Sequence, residues 1–366
     1  MNILLVEPNF PIPAKSKNHC NFLPIGLLKI AAYHRSLGDD VELHRGNYVA
    51  EKHPDEIKIT SLFTYWSKHV WDSVGFYKYI YPKAKVEVGG IYASLMPEHC
   101  AKSGSDEVVA GFYKGGIAEV YDPAYDLIDV DYQIIHASRG CFRKCNFCGT
   151  WKIEDKVTYK KSVLKEIRKQ KVVFYDNNLI SNPHIKTILS ELESFAFDDK
   201  KKVICESQSG LDGRILQEDP ELAILLKKAR FRNPRIAWDG SYSQWPLIKE
   251  QVEILKSAGY KPLDIFVFMM FNYKLGYKEL KQKIEACKRW GVRVIDCRYR
   301  PLDLTSDGYN PRKKHQEYNE YFIHPGWTDV QVRSFRRSVR RQNIALILDL
   351  PKGRYIEGIE RRYIQT

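Results

Sequence analysis

No stretch of this 366-residue sequence approaches the roughly 18 consecutive apolar residues that a membrane-spanning helix needs. A basic leader with a long apolar region behind it is also missing. The opening MNILLVEPN reads as a strand, which predicts no secretory signal and a reducing, cytoplasmic location. Internal repeats and low-complexity tracts are absent, and 44% hydrophobic with 28% charged residues excludes wholesale disorder. Acidic residues are in deficit: 45 Asp and Glu against 58 Lys and Arg leave a formal charge of +13. That balance suits polyanionic partners such as nucleic acid, and it equally describes a lysine-rich solvated surface. Cysteine, by contrast, is plentiful at eight residues. In a reducing compartment these point to thiols or metal ligands before disulfides.

The length predicts two domains and a tail. Residues 1–115 alternate short apolar strands (NILLVEP, DVELHRG, EIKITSLFT, KVEVGGIYAS) with helical stretches such as PIGLLKIAAYHRSLG. This pattern predicts a doubly wound parallel sheet whose ligands would lie at the carboxyl ends of the strands, where Gly89 and Gly90 fall. Residues 116–132, rich in Asp and without periodicity, read as a linker. From 133 to 300 six strands are expected: QIIHAS, KVVFYD, KVICES, PRIAWD, LDIFVFMMF and VRVIDC. Between them TYKKSVLKEIRKQ, PHIKTILSELESF, PELAILLKKARF, WPLIKEQVEILKSAG and YKELKQKIEACKRWG have helical spacing. In WPLIKEQVEILKSAG the apolar stripe is Leu247, Ile248, Val252 and Leu255. Six serial units predict a partial (β/α)6 barrel, two units short of a complete one, with catalytic groups at the strand ends.

Residues 301–366 form a basic extension. In VRSFRRSVRRQ, Val332, Phe335 and Val339 make an apolar stripe with arginines on the other faces, which predicts a helix docked on the barrel or a basic face for a substrate backbone. The segment YNPRKKHQEYNEYFIHPGW, 309–327, interleaves aromatic and basic groups, a composition suited to stacking and phosphate contact.

The chemistry concentrates in HASRGCFRKCNFCGTWKIE, where Cys141, Cys145 and Cys148 lie in one loop after the first barrel strand. Three thiolates at this spacing can bind three irons of a cubane cluster and leave the fourth open. Closed four-ligand sites are usually structural, and open ones catalytic. A zinc site would need a fourth ligand, and His136 would have to bend off its strand to supply it.

CFRKCNFC matches the CxxxCxΦC signature of the radical S-adenosylmethionine (SAM) enzymes, with Phe147 as the aromatic residue. The six units from 133 to 300 resemble that family's partial barrel. Residues 1–115 resemble the Rossmann-like cobalamin-binding domain of one large subgroup, with VGGIYASLMPE similar to its VGG strand and turn. The resemblance implies that Cys141, Cys145 and Cys148 bind a 4Fe-4S cluster. SAM would chelate the unique iron and be cleaved reductively to a 5′-deoxyadenosyl radical, with a flavodoxin- or ferredoxin-like electron donor as partner. Phe147 would lie near the adenine. FYDNNL takes the place of the family's Gly-Gly-Glu segment, so Asp176, Asn177 or Asn178 would accept from the SAM ammonium.

Other strand ends offer Glu206, Ser207 and Gln208, then Asp239 and Ser241, then Arg298 and Arg300, to hold SAM or substrate or simply to cap and pair locally. Cobalamin is left open as a further cofactor, with methyl transfer as the reaction it would favour. The DxHxxG motif is absent, His19 is isolated, Tyr92 stands where relatives often have histidine, and AGFYKGG replaces the usual acidic segment. Without cobalamin the expected substrate is a nucleic acid or peptide. The alternative from another class is a zinc-containing nucleic-acid-binding protein. Cys20, Cys100, Cys205, Cys287 and Cys297 read as core thiols.

Overall fold

A computed structural model describes residues 1–12, 23–197 and 201–348. His19, Cys20 and the chain beyond 348 lie outside the described residues. Within them the protein is mixed α/β. The five strands β1 (Asn2–Glu7), β2 (Asp40–Arg45), β3 (Glu56–Ser61), β4 (Lys85–Gly90) and β5 (Glu107–Val109) form one sheet in the order β2-β1-β3-β4-β5, every neighbouring pair parallel.

Alternation along the strands creates two faces. Leu4, Val6, Ile57, Ile59, Val86 and Val88 share a cluster with Val70, Val74 and Tyr77 of a helix we designate α2 (Ser67–Ile80). Ile3 and Leu5 instead meet Leu27 and Ala31 of α1 (Ile25–Ser36). Strand order turns back at β1 and β3, so their outgoing chains diverge and leave a crevice at the carboxyl edge. Beside it β4 ends at Gly90, whose φ is 99°. A Cβ there would stand 2.3 Å from the Ser61 carbonyl oxygen, so only glycine fits. The chain then forms α3 (Ile91–Leu95) and α4 (Pro97–Ala101). The expected linker is packed: Ala118, Ala124 and Val130 are buried, and the chain makes short 3-10 turns.

All six strands expected from 133 onward form. β6 (Tyr132–Ile135) leads into β7 (Ser138–Arg139), then α5 (Thr150–Ile153) and β8 (Thr158–Tyr159), which pairs antiparallel with β7. After β9 (Lys171–Phe174) and α6 (Ile185–Ser194), β10 (Ala196–Phe197) and β11 (Lys201–Lys202) make a small hairpin before β12 (Ile204–Ser207). α7 (Gly213–Glu218) and α8 (Glu221–Lys228) precede β13 (Arg235–Ala237); α9 (Trp245–Ser257), β14 (Phe266–Phe271), α10 (Tyr277–Trp290) and β15 (Arg293–Arg298) follow. The strands pair in parallel as β6-β9-β12 and β13-β14-β15, and single parallel bridges at Cys205–Phe231 and Leu211–Ile236 connect the two groups.

One expected helix is absent. Residues 158–170 hold β8 and a single 3-10 turn, because Thr158 and Tyr159 pair with Arg139 and Ser138 to close the cysteine loop. Val163 and Ile167 still reach the core from irregular chain. The burial stripe of α9 is Ile248, Val252 and Leu255, while Leu247 is half exposed.

The helix α11 (Asp329–Leu348) buries Val332, Phe335 and Val339, with α10 and β15 as its neighbours. Its arginines do not all face solvent. Arg333 is buried with its Nε donating to both Asp329 oxygens at 2.8 and 2.9 Å, and Arg336 donates to Asp296 at 2.9 Å. Several aromatic residues of 309–327 are likewise committed to the interior. Trp327 is 1% exposed with its indole N–H on the Tyr273 and Leu275 carbonyls, and the Tyr321 hydroxyl donates to Asp329. They are unavailable for stacking on a nucleic acid. Among the described residues no helix is long and apolar enough to cross a membrane.

Gly90→Ala should lose about 1–3 kcal/mol in urea unfolding, from strain at the Ser61 contact. Gly75→Ala, in α2 with nothing within 4 Å of the new methyl group, should gain about 0.5–1 kcal/mol in the same measurement.

Candidate active site

A parallel sheet sends every outgoing chain to one edge. Here the carboxyl edges of both halves border one cavity of about 930 Å³. Thr60, Ser61, Gly89 and Gly90 come from the first sheet. Ala237, Phe268, Met270 and Cys297 line it from the second half, where period-two alternation turns Val267, Met269 and Phe271 the opposite way into the helix-covered core. Cys297 is therefore a cavity residue and not the core thiol expected, whereas Cys100, Cys205 and Cys287 are buried as expected. Burial pushes the Cys297 thiol up to about 12.

The cysteine loop forms part of this cavity's rim, and Phe147, Gly149 and Thr150 line it. Cys141, Cys145 and Cys148 are free and half-buried. Burial raises the Cys141 and Cys145 thiols; Cys148 adds to both shifts, and Cys141 adds to that of Cys145. The Cys148 Sγ donates to Thr150 Oγ1 at 3.3 Å, and Thr150 donates to Asn177 Oδ1 at 3.0 Å. Among the described residues no three His, Cys, Asp or Glu side chains gather closely enough to hold one metal ion. In a cubane each cysteine holds a different iron, which keeps the sulfurs farther apart than ligands of a single ion.

Three carboxylates shape the loop. Asp176, expected on SAM, is wholly buried and accepts from the Ala137 N–H at 3.1 Å, the Ser138 N–H, and the Ser138 hydroxyl at 2.7 Å. Burial lifts its carboxyl to about 6 against those three donors. Glu154 binds the Gly140 N–H and the Arg139 guanidinium. Asp212, the N-cap of α7, accepts from Arg143 inside the loop at 2.9 Å, from Arg214 at 2.9 Å and from Asn178 Nδ2 at 3.3 Å. Gly140 itself has φ 76°, and a Cβ there would meet the Lys156 carbonyl oxygen at 2.5 Å.

The expected strand-end ligands divide in two. Phe147, Asn177, Asp239 and Arg298 line the cavity. Asp176, Asn178, Glu206, Ser207 and Ser241 do not. Asn178 is buried with its Oδ1 unpartnered, Glu206 pairs with Arg235, Ser207 donates to the Gly210 carbonyl at 3.2 Å, and Ser241 bonds Ser243. Asp176 and Ser207 are taken up by nearby backbone, whereas Asn178, Glu206 and Ser241 pair with neighbouring side chains.

Phe147 meets Tyr273 edge-on at 6.2 Å. Arg298 and Arg300 share Asp307, and Arg300 lies 4.4 Å over the Tyr65 ring of the first half. Asp239 is open to the cavity yet surrounded by protein, and makes no hydrogen bond to a described residue. Burial raises its carboxyl, opposed by Lys283 and Arg214. Tyr92 faces away: it is buried, accepts from Trp71 Nε1 at 3.0 Å and bonds His99 at 2.6 Å.

Sequence reasoning weighed His136 only as a zinc ligand and missed Arg139, Glu154 and Asp212. The LDGR segment carried a signal for Asp212, since Asp just before a helical start is an N-cap. No local pattern marks Glu154, which works across a loop. No known family profile matches the chain, and no curated protein is detectably similar to it in sequence.

Asp176→Asn would turn an amide N–H₂ toward donors and should cost about 1–3 kcal/mol in chemical denaturation. A second outcome concerns Lys283, wholly buried with its ammonium on the Trp238 carbonyl at 3.0 Å. Burial pulls it from 10.5 down to about 8, so the folded state holds this proton less tightly than the unfolded chain. The resulting penalty is full below pH 8 and fades as pH rises toward 10.5. Stability of the wild type relative to Lys283→Met should therefore climb by about 3 kcal/mol across that window, read from urea midpoints.

Proposed function

We propose that this chain is a radical SAM enzyme in which Cys141, Cys145 and Cys148 hold a 4Fe-4S cluster. One observation carries the reading: a three-cysteine loop at the carboxyl ends of serial parallel strands, on the rim of the molecule's large cavity. On this reading the six strands from β6 to β15 are a partial barrel, and the first sheet is a Rossmann-like lid over its mouth. When bound, the cluster would supply the electron that cleaves SAM and starts radical chemistry.

The chain's own residues do the rest. Phe147 offers a ring at the cavity wall for an adenine. Asn177, tied to Cys148 through Thr150, places a polar group within reach of the SAM amino group. Asp239 gives a carboxylate free to accept from ribose hydroxyls, and Arg298, paired with Asp307, adds a guanidinium to the lining. Phe268, Met270 and Ala237 keep water from the region between them.

The cavity exceeds what a nucleoside-sized cofactor fills, which leaves room for a second ligand beside the first sheet. His136 is the only histidine lining it among the described residues, and its Nε2 is taken by Arg139. Cobalamin enters this reading only as a ligand carried without a protein imidazole, with methyl transfer as the reaction it would add.

Anaerobic iron and sulfide reconstitution tests the proposal. We expect broad visible absorption from the cluster and, with SAM and dithionite, 5′-deoxyadenosine. Cys141→Ala, Cys145→Ala and Cys148→Ala should each abolish both, while Cys297→Ser retains the cluster. Wild-type protein that binds no iron, or a triple cysteine variant that still cleaves SAM, would overturn the reading.

A further inference from the structure

The lining of the cavity includes a constellation that the radical SAM reading does not use. Helix α1 spans 12 residues and begins at the cavity, where Pro24, Ile25, Gly26 and Leu27 line the wall. No side chain caps it, and its first turn contains no acidic residue. Ile25 N–H turns back to the Leu23 carbonyl and Leu28 N–H begins the helical ladder on Pro24. Among the described residues no acceptor is seen for the intervening Gly26 and Leu27 amides. A Cβ at Gly26 would meet nothing within 4 Å, so this turn is open.

His136 supplies an independent observation. It lines the same cavity and is enclosed by protein. Its Nε2 lies 3.0 Å from Arg139 Nη1. A guanidinium can only donate, so Nε2 accepts and the imidazole proton resides on Nδ1. Among the described residues Nδ1 has no hydrogen-bond partner. Arg139 also lines the cavity, and its Nε is buried without a partner.

The first turn of α1 and His136 are neighbours. Leu23 and Leu28 cluster with Ile134, two residues before His136, and Ile25 and Tyr175 pack on that cluster. Tyr175 in turn meets the His136 ring edge-on at 6.5 Å. The charges acting on His136 come from Arg139, Lys29 and Lys160, cations without exception, and with burial they hold it well below the ordinary histidine range. Lys29 and Arg139 already have carboxylate partners, Glu119 at 2.6 Å and Glu154. What remains among the described residues is a set of donors (two backbone amides, an imidazole N–H and the buried Arg139 Nε–H) for which no described residue supplies an acceptor.

We propose that the first turn of α1, His136 and Arg139 form an oxyanion subsite that takes the carboxylate or phosphate of the cavity's second ligand. Donors at a helix N-terminus are what such a group satisfies. The proposal rests on the radical SAM reading only in naming that ligand the substrate, because the subsite needs neither cluster nor SAM.

The test is calorimetric titration of the full chain, before and after cluster reconstitution, with inorganic phosphate and separately with acetate. Saturable binding of one or both anions is expected in both preparations, and the preferred anion assigns phosphate or carboxylate. His136→Phe should weaken it about tenfold or more, as expected for a lost hydrogen bond to a charged group. His136→Asn, which keeps an N–H near the Nδ1 position, should retain most of the affinity. Lys29→Met should weaken it less, since Glu119 already neutralises that charge. Displacement of phosphate by hydroxocobalamin would support the subsite and assign its occupant to a nucleotide tail. Absence of saturable binding to either anion, or equal affinity in wild type and His136→Phe, would overturn the proposal. Binding to protein that never acquires iron would uphold the subsite while the radical SAM reading failed.

Discussion

Three buried or half-buried carboxylates hold the cysteine loop, and the rest of the site depends on them. Asp176 gathers the backbone where β6 gives way to β7, Glu154 ties the neck at Arg139 and Gly140, and Asp212 clamps Arg143 from outside. A loop with three thiols has little apolar surface of its own to fix it. Ionic hydrogen bonds at its two necks supply the rigidity instead, and in a low-dielectric surrounding they are strong. The thiols are thereby held half-buried in a loop whose Phe147, Gly149 and Thr150 line the cavity, while the three cysteines themselves do not.

The second constraint is directional. Parallel strands deliver their exits to one edge, and the two halves of the chain are apposed edge to edge around a shared cavity. Arg300 on the Tyr65 ring and the Ser67 hydroxyl on the Thr305 carbonyl at 2.9 Å fasten that apposition. Gly149 belongs to the same joint, since a Cβ there would press on Leu95 and Leu302 at 3.3 and 3.7 Å. Polar groups of both kinds line the shared cavity: the Asp239 carboxylate and the Asn177 amide, and the His136 imidazole with the Arg139 guanidinium.

Much of the fold could be read from local patterns. Short apolar runs bounded by glycine and polar turns became strands, and five of the longer periodic segments became α1, α6, α8, α9 and α10. The exception at 158–170 is instructive. Its lysine-rich helical pattern yields to a two-residue pairing of β8 with β7, a tertiary contact that local propensity does not register. The site was partly legible. Phe147, Asn177, Asp239 and Arg298 line the cavity, while Asp176 next to Asn177 faces the backbone of β7 instead. Consecutive residues leaving a strand point to opposite sides, and only the curvature of the sheet decides which side is the chamber.

The sequence by itself determined the principal parallel strands, most of the longer helices and the clustering of three thiols, because these follow from periodicity and spacing along the chain. Tertiary structure alone decided that Cys297 faces the cavity, that Asp176 is a scaffold, that Trp327 and Tyr321 are interior, and that α1 opens toward His136. Each of those is a matter of which groups distant in sequence compete for the same hydrogen bond or the same buried volume. That competition is settled only when the two halves meet.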